Sequence, residues 1–438
     1  MPSPLVAKGL ALLRHRIVKN TAALFVVQIS TYVAPLIVIP YLSRVLSVAH
    51  YGLIAFATSF NFYFITLVEY GFNLTATRRI AIYRDDPQKI SKIFSSVMAA
   101  KTLLTVAGFL IMVTVVLATP KLRANFALFC LAYLAVLGDL LFPLWLFQGL
   151  QKMENLVWRD LTSKLIALAL IFAFVRRDSD YMLAAGFQFG STLLAGIVGL
   201  CTVPFFTPAR WVLPSLSETL TALREGWPVF LSMAGVYATD STNILVLGLK
   251  SGPTDVGYYT ASGRLIVAAR MLVQPVVTAV YPHISHMASK ARESALAALQ
   301  KYSLFLTAPF LAGSLILLFG ASPIMQLIYS AKYDPAIPLL RIMALSPFLL
   351  AWQHVYSTFF MLAFGYEKDW SKIIIQGAVL NFVVLFPLVY LMWPPAGVAA
   401  TGIVVNVFIA GATYAFYRKN SRPTVPKTAA AAEVGTEL

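Results

Sequence analysis

Two arginines, Arg264 and Arg270, sit well inside an otherwise apolar run, 256–287, VGYYTASGRLIVAARMLVQPVVTAVYPHISHM. A guanidinium stays charged at any physiological pH. Near the centre of a bilayer such a charge costs at least about 2.5–3.5 kcal/mol on insertion scales. It therefore faces a wet cavity or a bundle interior, where it meets an acidic partner or an anionic ligand. Lys101, Asp139 and Asp240 also fall in apolar runs, and Glu69 closes another. The chemistry open to this set is to hold an anion and to balance or relay charge.

The elements that must position these residues are membrane-spanning helices. Of the 438 residues, 59% are hydrophobic and only 12% charged, against about 25% charged in soluble domains. The chain is read as an all-α integral membrane protein. About twelve apolar segments are each long enough to cross a ~30 Å hydrocarbon core: 20–42, 50–73, 93–118, 125–147, 157–175, 181–206, 227–249, 256–282, 301–320, 336–363, 373–393 and 396–417. With the N-terminus inside, 23 of the 34 Lys and Arg residues fall in cytoplasmic segments and seven on the opposite side. By the positive-inside rule both termini are cytoplasmic. The net charge of +16 is then a topology signal and a contact for anionic lipids rather than a nucleic-acid surface. Cys130 and Cys201 lie within spans and offer no disulfide framework. No removable signal peptide is expected, and 1–19 reads as an interfacial amphipathic segment.

Lys101 and Asp139 each lie about eight residues, ~12 Å, from the cytoplasmic ends of consecutive spans. Equal depth makes them an ion pair, either gluing two helices or relaying a cation or proton. Asp240 and Arg264 share a depth near the midplane to within ~3 Å. They are read either as a neutralising pair or as part of an anion site. Arg270 lies ~9 Å further in and ~120° round the helix, so the two arginines do not form one flat clamp. His354 reads as a hydrogen-bonded packing residue. His283 and His286 lack a third ligand, so no metal is expected. Trp145, Trp158, Trp227, Trp370 and Trp393 fall at span ends, as an aromatic belt requires.

Between the sixth and seventh spans, 207–226 carries Pro208 and Pro214 and divides the chain. The domains expected are the N-terminal segment 1–19, an N-lobe 20–206, a cytoplasmic linker 207–226, a C-lobe 227–417 and a disordered tail 418–438. Six crossings per half give both halves one orientation, so any repeat is parallel. YGLIAFA (51–57) lies 205 positions before VGYYTAS (256–262), each opening the second helix of its half. Two parallel six-helix bundles around a central cavity follow. There is no GxxxxGK[ST], no GxGxxG after a strand, no HExxH and no GxSxG. No extramembrane segment is long enough for an enzymatic domain, and a non-enzyme without a cofactor is expected.

Five stretches resemble the Wzx-type O-antigen flippases of the MOP (multidrug/oligosaccharidyl-lipid/polysaccharide) superfamily: NTAALFVVQISTYVAPLIVIPYLSRVL (20–46), YGLIAFATSF (51–60), VEYGFNLTATRRIA (68–81), PLWLFQGLQKM (143–153) and QPVVTAVYPHISHM (274–287). The resemblance implies a bacterial inner-membrane protein with a MATE-like architecture that opens to each side in turn. It implies a substrate too: undecaprenyl-pyrophosphate-linked oligosaccharide repeat units, moved from the cytoplasmic to the periplasmic leaflet before polymerisation. Similar flippases line the cavity with cations partly from helix eight, which Arg264 and Arg270 match in location. Related peptidoglycan-precursor flippases use arginines in helices one and two, where this chain has only Arg44 at the rim, so that part does not carry over. Gln151 stands where the family often has Glu.

The reading is a flippase in which Arg264 and Arg270, with Lys101, hold the pyrophosphate. Asp240, Asp139 and Glu69 balance charge or couple to H⁺ or Na⁺. Its partners are the lipid-linked oligosaccharide, membrane lipids and the polysaccharide polymerase and chain-length machinery. One rival is a MATE-like small-molecule exporter, which predicts acids dominating the cavity. Another is a membrane-embedded polysaccharide ligase or polymerase, which needs a sizeable periplasmic loop.

Overall fold

The computed structural model describes residues 37–421; the segment 1–19, most of the first span and the tail beyond 421 lie outside the described residues. Within 37–421 every regular element is a helix. Nine stretches there are long and apolar enough to cross a membrane, and they coincide with nine of the twelve spans expected. Two further expected spans, 157–175 and 227–249, fall in the helices Glu154–Phe174 and Leu216–Ser251.

The chain clusters into two compact units. Unit 1 takes the residues up to Gly263 together with Ser322–Leu339 and Leu385–Ala399. It opens with α1 (37–45), α2 (Val48–Glu69), α3 (Phe72–Ile82) and α4 (Pro87–Ala118). Ser47 caps α2, its hydroxyl accepting from the His50 amide at 3.2 Å. The helix ends in two left-handed residues, Tyr70 (φ 47°) and Gly71 (φ 77°). Gly71 is required twice over: its φ suits glycine, and a Cβ there would lie 2.5 Å from Val229 Cγ1. Asp86 caps α4 by accepting from the Gln88 and Lys89 amides, each at 3.1 Å. The Lys89 N–H, aimed at its carboxylate, holds the Asp86 carboxyl below the usual range.

The fourth span is not one helix. It runs as α5 (Phe126–Ala132), α6 (Leu134–Leu141) and α7 (Leu144–Gly149). Pro143 explains the second break, because it has no N–H to give the Asp139 carbonyl and its ring crowds that carbonyl. In α7, Trp145 is fully buried, so it belongs to no aromatic belt. The turn carrying it folds inward onto α3, where the Thr77 hydroxyl donates to the Trp145 carbonyl at 3.1 Å. A Cβ on Gly149 would meet Ile80 at 2.6 Å. The two motifs 68–81 and 143–153 thus form one interface. The helices α8 (Glu154–Phe174), α9 (Tyr181–Cys201) and α10 (Leu216–Ser251) follow. A Ser215–Glu218 capping box starts α10, so the second half of 207–226 is helical and continuous with the seventh span.

The run 256–287 breaks into α11 (Pro253–Met271) and α12 (Val273–Lys290). Pro275 sits four residues beyond Met271, where it cannot supply the next helical N–H. The Leu272 amide turns back to the Ala269 carbonyl at 3.3 Å instead. Both arginines precede the break and share α11, while the unit boundary falls between Gly263 and Arg264 in the same helix.

Unit 2 comprises Arg264–Ala321, Leu340–Val384 and the residues from Ala400. It carries α12, α13 (Arg292–Phe319), α16 (Ser346–Tyr356) and most of α17 (Glu367–Leu391) and α18 (Pro394–Asn420). The short α14 (Ala321–Ile328) and α15 (Ile337–Met343) come before α16, with nearly all of α14 and the start of α15 in unit 1. A π-turn, Ser357–Leu362, extends α16. Its core is aromatic: the Tyr356 ring lies 5.0 Å from both Tyr414 and Tyr417, and Phe360 5.0 Å from Tyr417.

In unit 1, α6 and α9 touch backbone to backbone, since a Cβ on Gly196 would lie 2.3 Å from the Gly138 carbonyl oxygen. Gly190, on the same helix, has nothing within 4 Å of its Cβ position. Gly196→Ala should cost about 1–3 kcal/mol of stability by overpacking, whereas Gly190→Ala should be neutral or stabilising by up to about 1 kcal/mol. Thermal unfolding of the two purified variants in detergent checks the contrast.

Candidate functional site

Three of the residues singled out in the sequence come together in unit 1. Lys101, on α4, is buried with a side chain 4% exposed, and its ammonium lies 3.1 Å from Asp139 Oδ2 on α6. The same ammonium donates to the Asp139 carbonyl at 2.7 Å. That is the carbonyl which Pro143 leaves without its helical donor, so one lysine answers both a carboxylate and a broken backbone bond. The Phe142 amide reaches it only at 3.3 Å. Behind the pair, the Thr105 hydroxyl donates to the Lys101 carbonyl and the Tyr133 hydroxyl to the Thr105 carbonyl, both at 2.8 Å.

Glu69, the last residue of α2, accepts from the Asn73 amide at 2.6 Å. Asp139 and Lys101 both act on it electrostatically. The cluster therefore holds two carboxylates and one ammonium, with a formal charge of −1 when all are ionised. Such a set can take up one cation or proton without leaving a net charge in the apolar region. Asn73 was missed in the sequence, although it stands four residues after Glu69, the spacing at which helical side chains meet. In the same α2, Asn61 is 1% exposed, and both its amide atoms lack a hydrogen-bond partner among the described residues.

Arg264 and Arg270 lie in the unit 2 part of α11 and are both partly exposed. Among the described residues neither guanidinium has an ion pair or a hydrogen bond. Arg270 closes the last turn of α11, where a cation is favoured by the unpaired carbonyls of the helix end. It acts electrostatically on His354 of the same unit, whose Nδ1 meets the Thr358 hydroxyl at 2.9 Å in the π-turn. That link between Arg270 and His354 was not readable from spacing, since the residues are far apart in sequence. The Asp240 side chain lies outside the described residues, and its expected pairing with Arg264 lies outside them too. No group of three metal-ligating side chains occurs among the described residues.

Residues 17–288 match the polysaccharide biosynthesis protein family. A protein of Escherichia coli (strain K12), named as an O-antigen transporter, is 33% identical over 402 residues, covering 92% of this chain and 97% of its own. The chain belongs to the polysaccharide biosynthesis protein family. A second member, from Shigella dysenteriae and named in the same way, is 29% identical over 89% of this chain and 96% of its own. Among solved structures, an inward-facing MATE-family multidrug transporter of the MOP superfamily superposes with a TM-score of 0.65 at 15% identity, over 95% of this chain and all of its own. A point mutant of the Vibrio cholerae MATE transporter VcmN does so with 0.52 at 16% identity, over 95% and 98% of the two chains. At such identities the structures speak for the fold alone. Fold and family together make this member an all-α, multi-pass transporter and not an enzyme.

Removing one partner of a buried pair strands the other. Lys101→Met should therefore destabilise the protein by about 3 kcal/mol, with Asp139 left charged and its carbonyl bare. Lys101→Met/Asp139→Asn should recover a large part of the loss. The unfolding midpoints of wild type, single and double variants in detergent measure the coupling, and a double variant no more stable than the single one would sink it.

Proposed function

We propose that this protein is a flippase for undecaprenyl-pyrophosphate-linked oligosaccharide repeat units of the O-antigen type. It carries them from the cytoplasmic to the periplasmic leaflet of the bacterial inner membrane by alternating access. The observation that carries the proposal is the pair of guanidiniums on α11, partly exposed in a membrane-spanning helix and without acidic or hydrogen-bonding partners among the described residues. A guanidinium in a membrane span meets a polar partner or an anionic ligand, and its planar donor fork suits phosphate oxygens. The relatives named as O-antigen transporters support a substrate of the O-antigen class.

The two halves 20–206 and 227–417 act as the N-lobe and C-lobe, with both termini cytoplasmic and the substrate bound between them. Arg264 and Arg270 hold the pyrophosphate, and Lys101 offers a further cation for it only when Asp139 releases it. The Glu69–Lys101–Asp139 cluster couples transport to an H⁺ or Na⁺ gradient, with Asp240 balancing charge on the seventh span. A bound anion offsets the mutual repulsion of the guanidiniums, and this differential affinity moves the population towards the outward form. The polysaccharide polymerase and chain-length machinery then receive the repeat unit.

Arg264→Ala and Arg270→Ala should each abolish surface polysaccharide at normal protein levels, while Arg270→Lys keeps a fraction of export because charge remains and the bidentate fork is lost. Immunoblots of surface polysaccharide, with the lipid-linked repeat unit quantified on the inner leaflet, read both outcomes. Wild-type export by both alanine variants would refute the anion site.

A further inference from the structure

Within unit 1, the first turns of α2 and α11 meet through their backbones. A Cβ added to Gly52 would lie 1.9 Å from the Pro253 carbonyl oxygen, and one added to Gly257 would lie 2.3 Å from the Val48 carbonyl oxygen. The contact is reciprocal: Val48 and Pro253, like Gly52 and Gly257, are separated by 205 positions, the offset of the internal sequence match. Two related helices therefore face each other about a local two-fold axis, at a spacing no side chain allows.

The same end of unit 1 is stapled by cations. Lys332 donates to the carbonyls of Arg44, at 3.1 Å, and of Leu46. Arg44 donates to the Leu327 carbonyl at 2.9 Å, and Lys121 to the Leu249 carbonyl at 2.7 Å. All these carbonyls lie at or just past helix C-termini, of α1, α14 and α10, where unpaired acceptors attract cations. Each staple joins a residue before position 207 to one after 226. These three cations belong to the few on the side that charge asymmetry assigns to the periplasm.

Yet the contact is not fully satisfied. Tyr333 is completely buried among Tyr51, Tyr258 and Tyr329. Its hydroxyl, with those of Thr260 and Ser330, has no hydrogen-bond partner among the described residues. A buried hydroxyl without a partner costs free energy that water returns on exposure. Close packing and staples favour closure; the stranded hydroxyls oppose it.

We propose that this end of unit 1 is a reversible seal on the periplasmic side, locked by the Gly52–Gly257 contact and the Arg44, Lys121 and Lys332 staples. The buried hydroxyls hold it near balance, so that modest substrate binding can open it. The inference rests on the alternating-access reading above and assigns its outer gate to named groups.

The test is labelling of a single cysteine at Ser262→Cys, a fully buried position beside the seal, in a background carrying Cys130→Ser and Cys201→Ser. A membrane-impermeant maleimide is added from outside to cells that lack the lipid-linked sugar. Lys332→Met and Gly257→Val should each raise the labelling rate at least tenfold, and Tyr333→Phe should lower it severalfold. If Gly257→Val does not fold, Lys332→Met and the isosteric Tyr333→Phe decide the matter by themselves. Unchanged labelling in both, faster labelling in Tyr333→Phe, or labelling only from the cytoplasmic side would overturn the seal. Because no substrate is present, these rates stand apart from the arginine assays. Shifted labelling with unaffected export in the arginine variants keeps the seal and rejects the substrate; the reverse keeps the substrate and rejects the seal.

Discussion

An ammonium group inside a membrane span must find oxygen atoms, and Lys101 finds them where a proline has interrupted a neighbouring helix. Pro143 strips the Asp139 carbonyl of its helical donor, and Lys101 supplies the replacement at 2.7 Å while neutralising the carboxylate of the same residue. The same proline ends α6, and the turn beyond it carries Trp145 inward and lets α7 meet α3 through Gly149. Glu69 lies within the electrostatic reach of the pair. Much of unit 1 is thus organised around one cation whose desolvation is offset by a fault in the adjacent helix.

A second constraint is the close approach of backbones. At Gly138–Gly196 and Gly52–Gly257 the helices come nearer than any Cβ allows. In lipid, where apolar side chains gain little by meeting each other, such contacts are a principal source of helix association. Unit 2 relies on something else, the Tyr356, Tyr414, Tyr417 and Phe360 cluster around a π-turn. Unit 1 has aromatic packing as well, among the rings of Phe56, Phe60, Phe64 and Phe129.

Much of this was legible in the sequence, and the limits have physical causes. The Lys101–Asp139 pair followed from equal depth on consecutive spans, because helical rise is a property of the chain alone. The break near residue 272 has a signal in Pro275, but hydropathy does not change across 256–287, so the apolar pattern alone does not separate two helices there. Trp145 was misplaced because an indole at a span end suits both an interface and a core, and only the fold of the turn decides. The double use of Lys101 could not be read, since it joins a proline fault in one helix to a side chain on another. The 205-residue match looked slight as letters and proved to be a contact, because two glycines carry little sequence information and much geometric consequence.

The passage of α11 from one unit to the other at Gly263–Arg264 has a mechanical meaning. A 19-residue helix is a rod about 28 Å long; its first turns pack against its sequence relative, and both guanidiniums lie beyond Gly263, in the part that belongs to unit 2. α2, its counterpart, stays in a single unit from end to end. The two matched helices are thus used unequally: one lies wholly within a single compact unit, and the other is shared between two.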